Sequence, residues 1–394
     1  MRAHVVIGAN WGDEGKGLMT DFLARPGGLV VRHNGGAQAG HTVVTPGGQR
    51  HVFSHFGSGA LRGAGTRLSQ FFMVDPIAFD TEREVLLGLD ATVITSVDPR
   101  ALVVTPWDVM LNRIMEEERG GARHGSCGMG INAAMQRHAI IPLTVADLSD
   151  HSLFGVLELI REQYLPGWLD GCGVVPSQEW REQMASDAPT KAFLLAAQRF
   201  EQNAMVYDDE MVGFGVPLIF EGAQGLMLDQ DHPFFPHVTH SRTGTANAAT
   251  IAAEAGLEGL DVVYVTRAYS TRHGAGPLPG YDPKLRYHDD TNAPNDWQGS
   301  IRFGHLNLDL LREAIRADWD AIHETGLVCT GKIALTHLDQ VGETLDVILN
   351  GLQTTVTTAG LPSLLEEVIG LPVGYLSYGP TCNDVQMCET RAHA

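Results

Sequence analysis

The sequence predicts an α/β fold built on a largely parallel sheet, and three observations carry that reading. Short β-branched or apolar runs recur along the chain: "HVVI", "PLIF", "VVYV", "KIAL" and "VGYL". Each is followed at once by Gly, Ser, Thr or charged residues. Helical patterns lie between several of them, at 152–164, 189–206 and 306–322. Strands alternating with helices are the grammar of a parallel sheet. In such sheets ligands bind beyond the carboxyl ends of the strands. Five polar loops after five strands therefore point to one shared crevice. No short repeat or low-complexity linker divides the 394 residues, enough for one large domain or two ordinary ones.

Composition narrows the function. With 44% hydrophobic residues the chain can bury a core, and no apolar run reaches the ~18 residues of a membrane span. The start, "MRAHVVIGAN", enters a strand-like run directly, so no signal peptide is evident. The cysteines are Cys127, Cys172, Cys329, Cys382 and Cys388, an odd count without a CxxC. That reads as a reduced, cytoplasmic chain without a zinc site. A net charge of −20 opposes non-specific nucleic-acid binding. Any anionic ligand must meet local arginines and lysines.

The first strand leads into "GANWGDEGKGL" (8–18). A P-loop is GxxxxGK[ST], but here Asn10 holds the first glycine position and Gly17 the hydroxyl position. This is a phosphate loop of another design. Gly12, Gly15 and Gly17 let backbone N–H groups approach oxygen, and the following helix offers its positive N-terminus. Lys16 adds a point charge. Without a hydroxyl at 17 a metal needs another ligand, and Asp13 is the nearest hard oxygen. A carboxylate there can also take a proton from a substrate. "HVFSH" reads as a strand, so its HxxxH spacing does not place His51 and His55 on one helix face, and no metal site is read there.

"NWGDEGKG" resembles the "QWGDEGKG" of adenylosuccinate synthetases. The resemblance continues in order through "RHNGGAQAGHT" (32–42), "FEGAQGLMLDQDH" (220–232), "AYSTRHGAGP" (268–277), "LTHLD" (335–339) and "SYGP" (377–380). It implies one domain over 1–394, with a large mostly parallel sheet flanked by helices and small subdomains, related to P-loop proteins. The family joins L-aspartate to IMP at the expense of GTP, with Mg²⁺, and normally works as a homodimer. Carried over, Asp13 is the base at purine N1 and, with the Gly40 carbonyl, a Mg²⁺ ligand. His41 is the acid towards the phosphate in transfer, and Gln224 bonds the purine 6-position. Gly12, Glu14, Gly15, Lys16, Gly17, Gly40, His41, Thr42, His337, Asp339, Ser377, Gly379 and Pro380 are expected around the triphosphate. Asp13, Gln38, Ser126, Cys127, Arg137, Gln224, Thr239, His273 and Gly274 are expected around the monophosphate substrate, and Ser300 and Arg302 around aspartate.

The departures from the family are informative. Gln38 replaces its phosphate-binding asparagine. "GSCGMGIN" (125–132) replaces "GTTGRGIGP", so Cys127 stands for a threonine hydroxyl. The arginine that reaches the partner's site has Arg137 as its nearest counterpart. "WQGSIRFG" (297–304) replaces "TTGRRRRTG": only Arg302 aligns with the arginine run, and Ser300 stands where the ribose-reading arginine belongs. His337 replaces the lysine over guanine, and Tyr378 replaces a small residue beside that base, where its ring could stack. An arginine aimed at a 2′-hydroxyl is left unpaired over deoxyribose, at about 1–3 kcal/mol. These losses resemble a viral branch that joins aspartate to dGMP, giving N6-succino-2-amino-dAMP, with ATP or dATP in some members. Asp13, which some members of that branch lose, is retained. The alternatives are a cellular-type synthetase using IMP and GTP, and a non-catalytic nucleotide-binding module.

Overall fold

A computed structural model of the chain describes residues 2–120, 127–212, 215–289, 292 and 300–388. Its centre is a ten-stranded sheet. The strands are β1 (Arg2–Gly8), β2 (Leu29–Arg32), β3 (Gly65–Leu68), β4 (Thr95–Val97), β5 (Ala204–Val206), β6 (Leu218–Glu221), β7 (Gly259–Arg267), β8 (Val328–Thr336), β9 (Val373–Ser377) and β10 (Val385–Met387). They lie in the order β10-β9-β8-β7-β1-β6-β2-β3-β4-β5. All neighbours are parallel except β10, which closes one edge antiparallel to β9. The five runs read from the sequence are β1, β6, β7, β8 and β9, the contiguous central block of this sheet.

Both faces of that block are covered, as a parallel sheet requires. Side chains alternate between the faces with period two. Val5, Ile7, Phe220, Val262, Tyr264, Ile333 and Leu335 join one cluster with Leu311, Ile315 and Leu365. These last come from helices Leu308–His323 and Leu361–Ile369. Val6, Ile219, Val263, Val265 and Ala334 join the other, with Leu18 and Met19 of α1 (Lys16–Leu23). Each such side chain fully buried contributes about 1.5–3 kcal/mol. A separate core around Phe56, Phe79, Phe193 and Phe200 sits beside β3 and β4. A smaller one around Trp107, Leu111, Ile160 and Leu165 forms a helical lobe.

Two helical expectations change at their ends. The 189–206 pattern forms a helix only over Ala188–Asn203, and Ala204–Val206 turns into β5 on the far edge, paired with Thr95–Val97. The 152–164 pattern runs on to Gly171 through a π-helical turn at Ile160–Tyr164. Pro166, which has no N–H, interrupts the ladder there. In "HVFSH" the strand covers Arg50–Phe53 and stops before His55. Both histidines lie against Glu82, whose carboxylate accepts from Ser54 N, Ser54 Oγ, His55 N and, at 3.3 Å, His51 Nε2.

Candidate active site

The loops after all five central strands open into one cleft of about 1160 Å³. Pockets for a single drug-sized ligand span about 300–1,000 Å³, and this cleft lies above that range. The five strands thus deliver their carboxyl ends to a common site, the arrangement anticipated from their loops.

The loop between β1 and α1 is organised by Glu14, whose side chain is buried at 1% exposure. Its carboxylate accepts from Asn10 N at 3.0 Å, Gly12 N at 2.8 Å and Lys16 Nζ at 2.7 Å. Gly8 and Gly225 make room for it: a Cβ on Gly8 would stand 2.3 Å from Glu14 Oε2, and one on Gly225 2.6 Å from Oε1. Glu14 therefore braces the loop and holds Lys16, and its carboxylate does not face a triphosphate. The Gly12 N–H is likewise committed to Glu14. Gly17 serves close packing, since a Cβ there would meet the Thr42 carbonyl at 2.9 Å. Gly15 caps α1 at φ 97°, and the first N–H groups of that helix have no intrahelical partner.

Asp13 stands in the cleft at φ 62°. Its Oδ2 lies 3.0 Å from His273 Nε2. Burial pushes this carboxyl up, but His273, then Arg267 and Lys16, outweigh it and bring it to about 2. Burial likewise lowers His273, and Asp13 more than reverses it. Arg267 Nε donates to the Asp13 carbonyl.

His41 is held from behind. Its Nδ1 lies 2.7 Å from Glu221 Oε1, and Glu221 is itself fully buried and accepts from Ser58 N and Oγ. Burial opposes ionisation of Glu221, but His41 and Arg32 bring it to about 2. Burial, with Arg32 and Lys16, keeps His41 below its usual value despite Glu221. Glu221 Oε1 accepts the Nδ1–H of His41, which fixes the orientation of the ring in the cleft.

Gln224 lines the cleft at φ 66°, and both side-chain polar atoms of Gln38 lack a hydrogen-bond partner. Cys127, Thr239, Gly274, His337, Asp339, Ser377, Gly379 and Pro380 line it too, with Gly40 and Thr42. Burial, then Arg267, holds His337 well below the usual histidine range, so it presents a neutral ring. Ser377 Oγ donates to the Gly379 carbonyl and braces that turn.

Five sequence expectations fail or fall outside. Arg137 is fully buried away from the cleft, paired with Asp108 at 3.0 Å and donating to the Val103 and Ile141 carbonyls. It is a structural cation. Ser300 is exposed and outside the cleft lining, as is Tyr378 at 44% exposure. The Tyr378 ring, expected beside the base, is thus not part of the cleft wall. Arg302 also lies off the lining, donating to the Gly274 carbonyl at 2.8 Å. Ser126 lies outside the described residues.

The family model for adenylosuccinate synthetase matches residues 5–343. The chain belongs to the adenylosuccinate synthetase family. It is 29% identical over 440 residues to adenylosuccinate synthetase 1 of Cupriavidus pinatubonensis, covering 95% of this chain and 94% of that one. In fold it is similar to the fully ligated adenylosuccinate synthetase of Plasmodium falciparum, with a TM-score of 0.77, 17% identity and coverage of 99% and 100%. It is also similar to the succinoaminodeoxyadenylate synthetase of cyanophage S-2L bound to dGMP and dATP, with a TM-score of 0.64, 18% identity and coverage of 99% and 96%.

Members of the adenylosuccinate synthetase family are carbon–nitrogen ligases that use a nucleoside triphosphate and Mg²⁺. The residues here fit that ion. Asp13 and Gly40 bring a carboxylate and a carbonyl to one cleft, and Mg²⁺ takes one or two protein oxygens and completes its shell with phosphate and water. Sequence reading missed Arg267, Arg272 and Trp11 in the lining. Arg267 ends β7, so the strand-end rule alone could have found it.

Proposed function

We propose that the chain joins L-aspartate to the 6-position of a purine deoxynucleoside monophosphate, dGMP, giving N6-succino-2-amino-dAMP. The energy comes from ATP or dATP, with GTP as the alternative. One observation carries the choice of deoxyribose: exposed Ser300 stands outside the cleft at the position where the family aligns its ribose-reading arginine. The fold likeness to a phage enzyme bound to dGMP and dATP supports the same reading.

In this reading Asp13, ionised, accepts the N1 proton of the purine. The 6-oxygen then attacks the γ-phosphorus and the bond to the β-phosphate oxygen breaks. Asp13 and the Gly40 carbonyl would hold Mg²⁺, which would supply neutralisation of the phosphate charge. His41, protonated on both ring nitrogens once the phosphates bind, donates Nε2–H to the phosphoryl group while Glu221 accepts from Nδ1–H, and Gln224 steadies the 6-position. The amine of aspartate attacks C6, inorganic phosphate leaves with the 6-oxygen, and the amine loses a proton. Positioning and charge neutralisation dominate such phosphoryl transfer. Asp13 can accept from both N1–H and the 2-amino group of guanine, and paired charge-assisted bonds add geometry as well as energy. The protein acts in the cytoplasm, of the host if viral, as a homodimer.

A second reading is the cellular reaction with IMP and GTP, favoured by the identity to the Cupriavidus enzyme and by Asp339, a carboxylate suited to guanine N1–H and 2-NH₂. The deciding measurement is kcat/KM for dGMP, GMP and IMP, each with ATP, dATP and GTP, aspartate and Mg²⁺. Preference for dGMP supports the proposal. Preference for IMP by about tenfold or more, roughly 1.4 kcal/mol, replaces it with the cellular reaction.

A further inference from the structure

Asp13 is gripped at its main chain and at its carboxylate by one short segment, "RAYSTRH" (267–273). The Asp13 backbone has φ 62°, a left-handed conformation that a residue other than glycine adopts at some cost. Arg267, the last residue of β7, donates Nε to the Asp13 carbonyl and fixes that main chain. Arg267 is fixed in turn. It donates Nη1 to Tyr269 Oη at 3.1 Å, and its Nη2 lies 3.6 Å from Asp289 Oδ2. Tyr269 Oη donates to Gln340 Oε1 at 2.6 Å, beside Asp339 in the cleft. The segment then forms the strand Ser270–Arg272, paired antiparallel with Arg302–Gly304. His273 follows that strand at once, so its backbone starts from a paired and rigid ribbon. Its Nε2 lies 3.0 Å from Asp13 Oδ2.

With the main chain held by Arg267, the direction of the Asp13 carboxylate depends on its remaining contacts. Lys16 Nζ is committed to Glu14 at 2.7 Å, so the neighbouring ammonium does not set that direction. The His273 bond does. An ionised carboxylate offers about four acceptor positions. One bond at Oδ2 stops the group from turning and leaves the other positions free. We infer that His273 is the positioning residue of Asp13: it holds Oδ2 and aims the rest of the carboxylate into the cleft, while Arg267 holds the main chain behind it. A reacting group of this kind must be kept within about 0.5 Å of its working geometry by neighbours that are themselves locked. The inference rests on the ligase reading for the value of that aim to the reaction, and on the geometry of the segment alone for the aim itself.

The test uses the full chain and two readouts. The first is the ring ¹⁵N and N–H resonances of histidine-labelled protein, with those of His273 assigned by their loss in His273→Gln. Asp13→Ala removes the acceptor, and the His273 Nε2–H resonance is expected to shift or vanish while the other histidines keep theirs. A His273 signal indifferent to Asp13→Ala overturns the inference. The second is steady-state kinetics. His273→Leu fills the space of the ring without a donor. Its kcat is expected to fall about 10–100-fold, the cost of losing an orienting partner, with KM for the purine monophosphate within about twofold. His273→Gln, whose amide N–H reaches towards Oδ2, is expected to restore kcat to within about fivefold of wild type. A space-filling role predicts equal kcat in the two variants, and direct contact with the monophosphate predicts a raised KM in both. Either result overturns the inference. If His273→Leu does not fold, His273→Gln against the shorter His273→Asn decides on the same ratio of kcat. A wild type that shows the resonance change but forms no adduct with any purine nucleotide overturns the ligase reading and leaves the held carboxylate standing.

Discussion

Glu221 Oε1 lies 2.7 Å from His41 Nδ1, and both groups are withdrawn from solvent. The imidazole in the cleft is thus oriented by a carboxylate that no ligand reaches. Replacing Glu221 by Gln keeps the volume but removes the charge that fixes the ring. The expected result is a fall in kcat of about 10–100-fold, the cost of losing an orienting partner, with KM for the monophosphate nearly unchanged. His41→Ala costs about 10²–10⁴-fold. Equal turnover in Glu221→Gln and wild type shows that the contact does not orient the ring.

Asp13→Asn removes both the proton acceptor and the charge facing His273. Ligation falls about 10²–10⁴-fold while circular dichroism is unchanged. Near-full turnover in a folded variant removes Asp13 from the role of base.

Glu14 and Lys16 form a buried pair at 2.7 Å, with exposures of 1% and 3%. Glu14→Gln leaves the ammonium without its counter-charge and weakens the brace to Asn10 and Gly12. Breaking such a pair costs about 3–5 kcal/mol. Urea denaturation is expected to show that loss, and a Glu14→Gln protein as stable as wild type refutes the brace.

Arg137 is expected to matter for stability and not for substrate. Arg137→Ala leaves Asp108 uncompensated in the core, at a cost of about 3–5 kcal/mol. In whatever fraction folds, KM for the monophosphate stays within about twofold. A large rise in that KM with little loss of stability returns Arg137 to the site.

The buried His55 gives a pH signature. Its Nε2 accepts the Asp75 N–H at 3.0 Å, and burial, only partly opposed by Glu82, lowers it from 6.5 to about 4. The folded protein keeps this ring neutral where the unfolded chain takes a proton. Its share of stability is present above pH 6.5 and is lost as pH falls towards 4. The slope is about 1.4 kcal/mol per pH unit. His55→Gln, with no proton to take up, is therefore less acid-sensitive than wild type between pH 6.5 and 4. Denaturant midpoints at pH 7, 6 and 5 check this, and parallel curves for the two proteins contradict it.

The central sheet was legible because its strands carry local information: a β-branched run, then a polar loop, each readable within ten residues. Asp13, read from its glycine-rich loop, and Gln224 and His337, expected from the family resemblance, all line the cleft. What could not be read depends on partners far away in sequence. Nothing in "GDEGKG" says that Glu14 turns inward, since Gly8 and Gly225 create its space. Nothing around Arg137 announces Asp108, which sits 29 residues earlier. The end of the 189–206 helix was misread because Ala204–Val206 is claimed by Thr95–Val97, a tertiary choice that outweighs local propensity.

The place of β1 in the sheet has a consequence for how the protein is made. Among the described strands β1 is made before its two neighbours, Leu218–Glu221 and Gly259–Arg267, and it lies at the centre of the sheet. At about 5–20 residues per second, the apolar segment around Val5–Ile7 waits roughly 10–40 s for its first partner. Pairing at such long range is slow even after release. During synthesis this segment has neither of its sheet neighbours, and unpaired apolar strands of that kind are the ones exposed to misassembly before a nucleotide cleft exists.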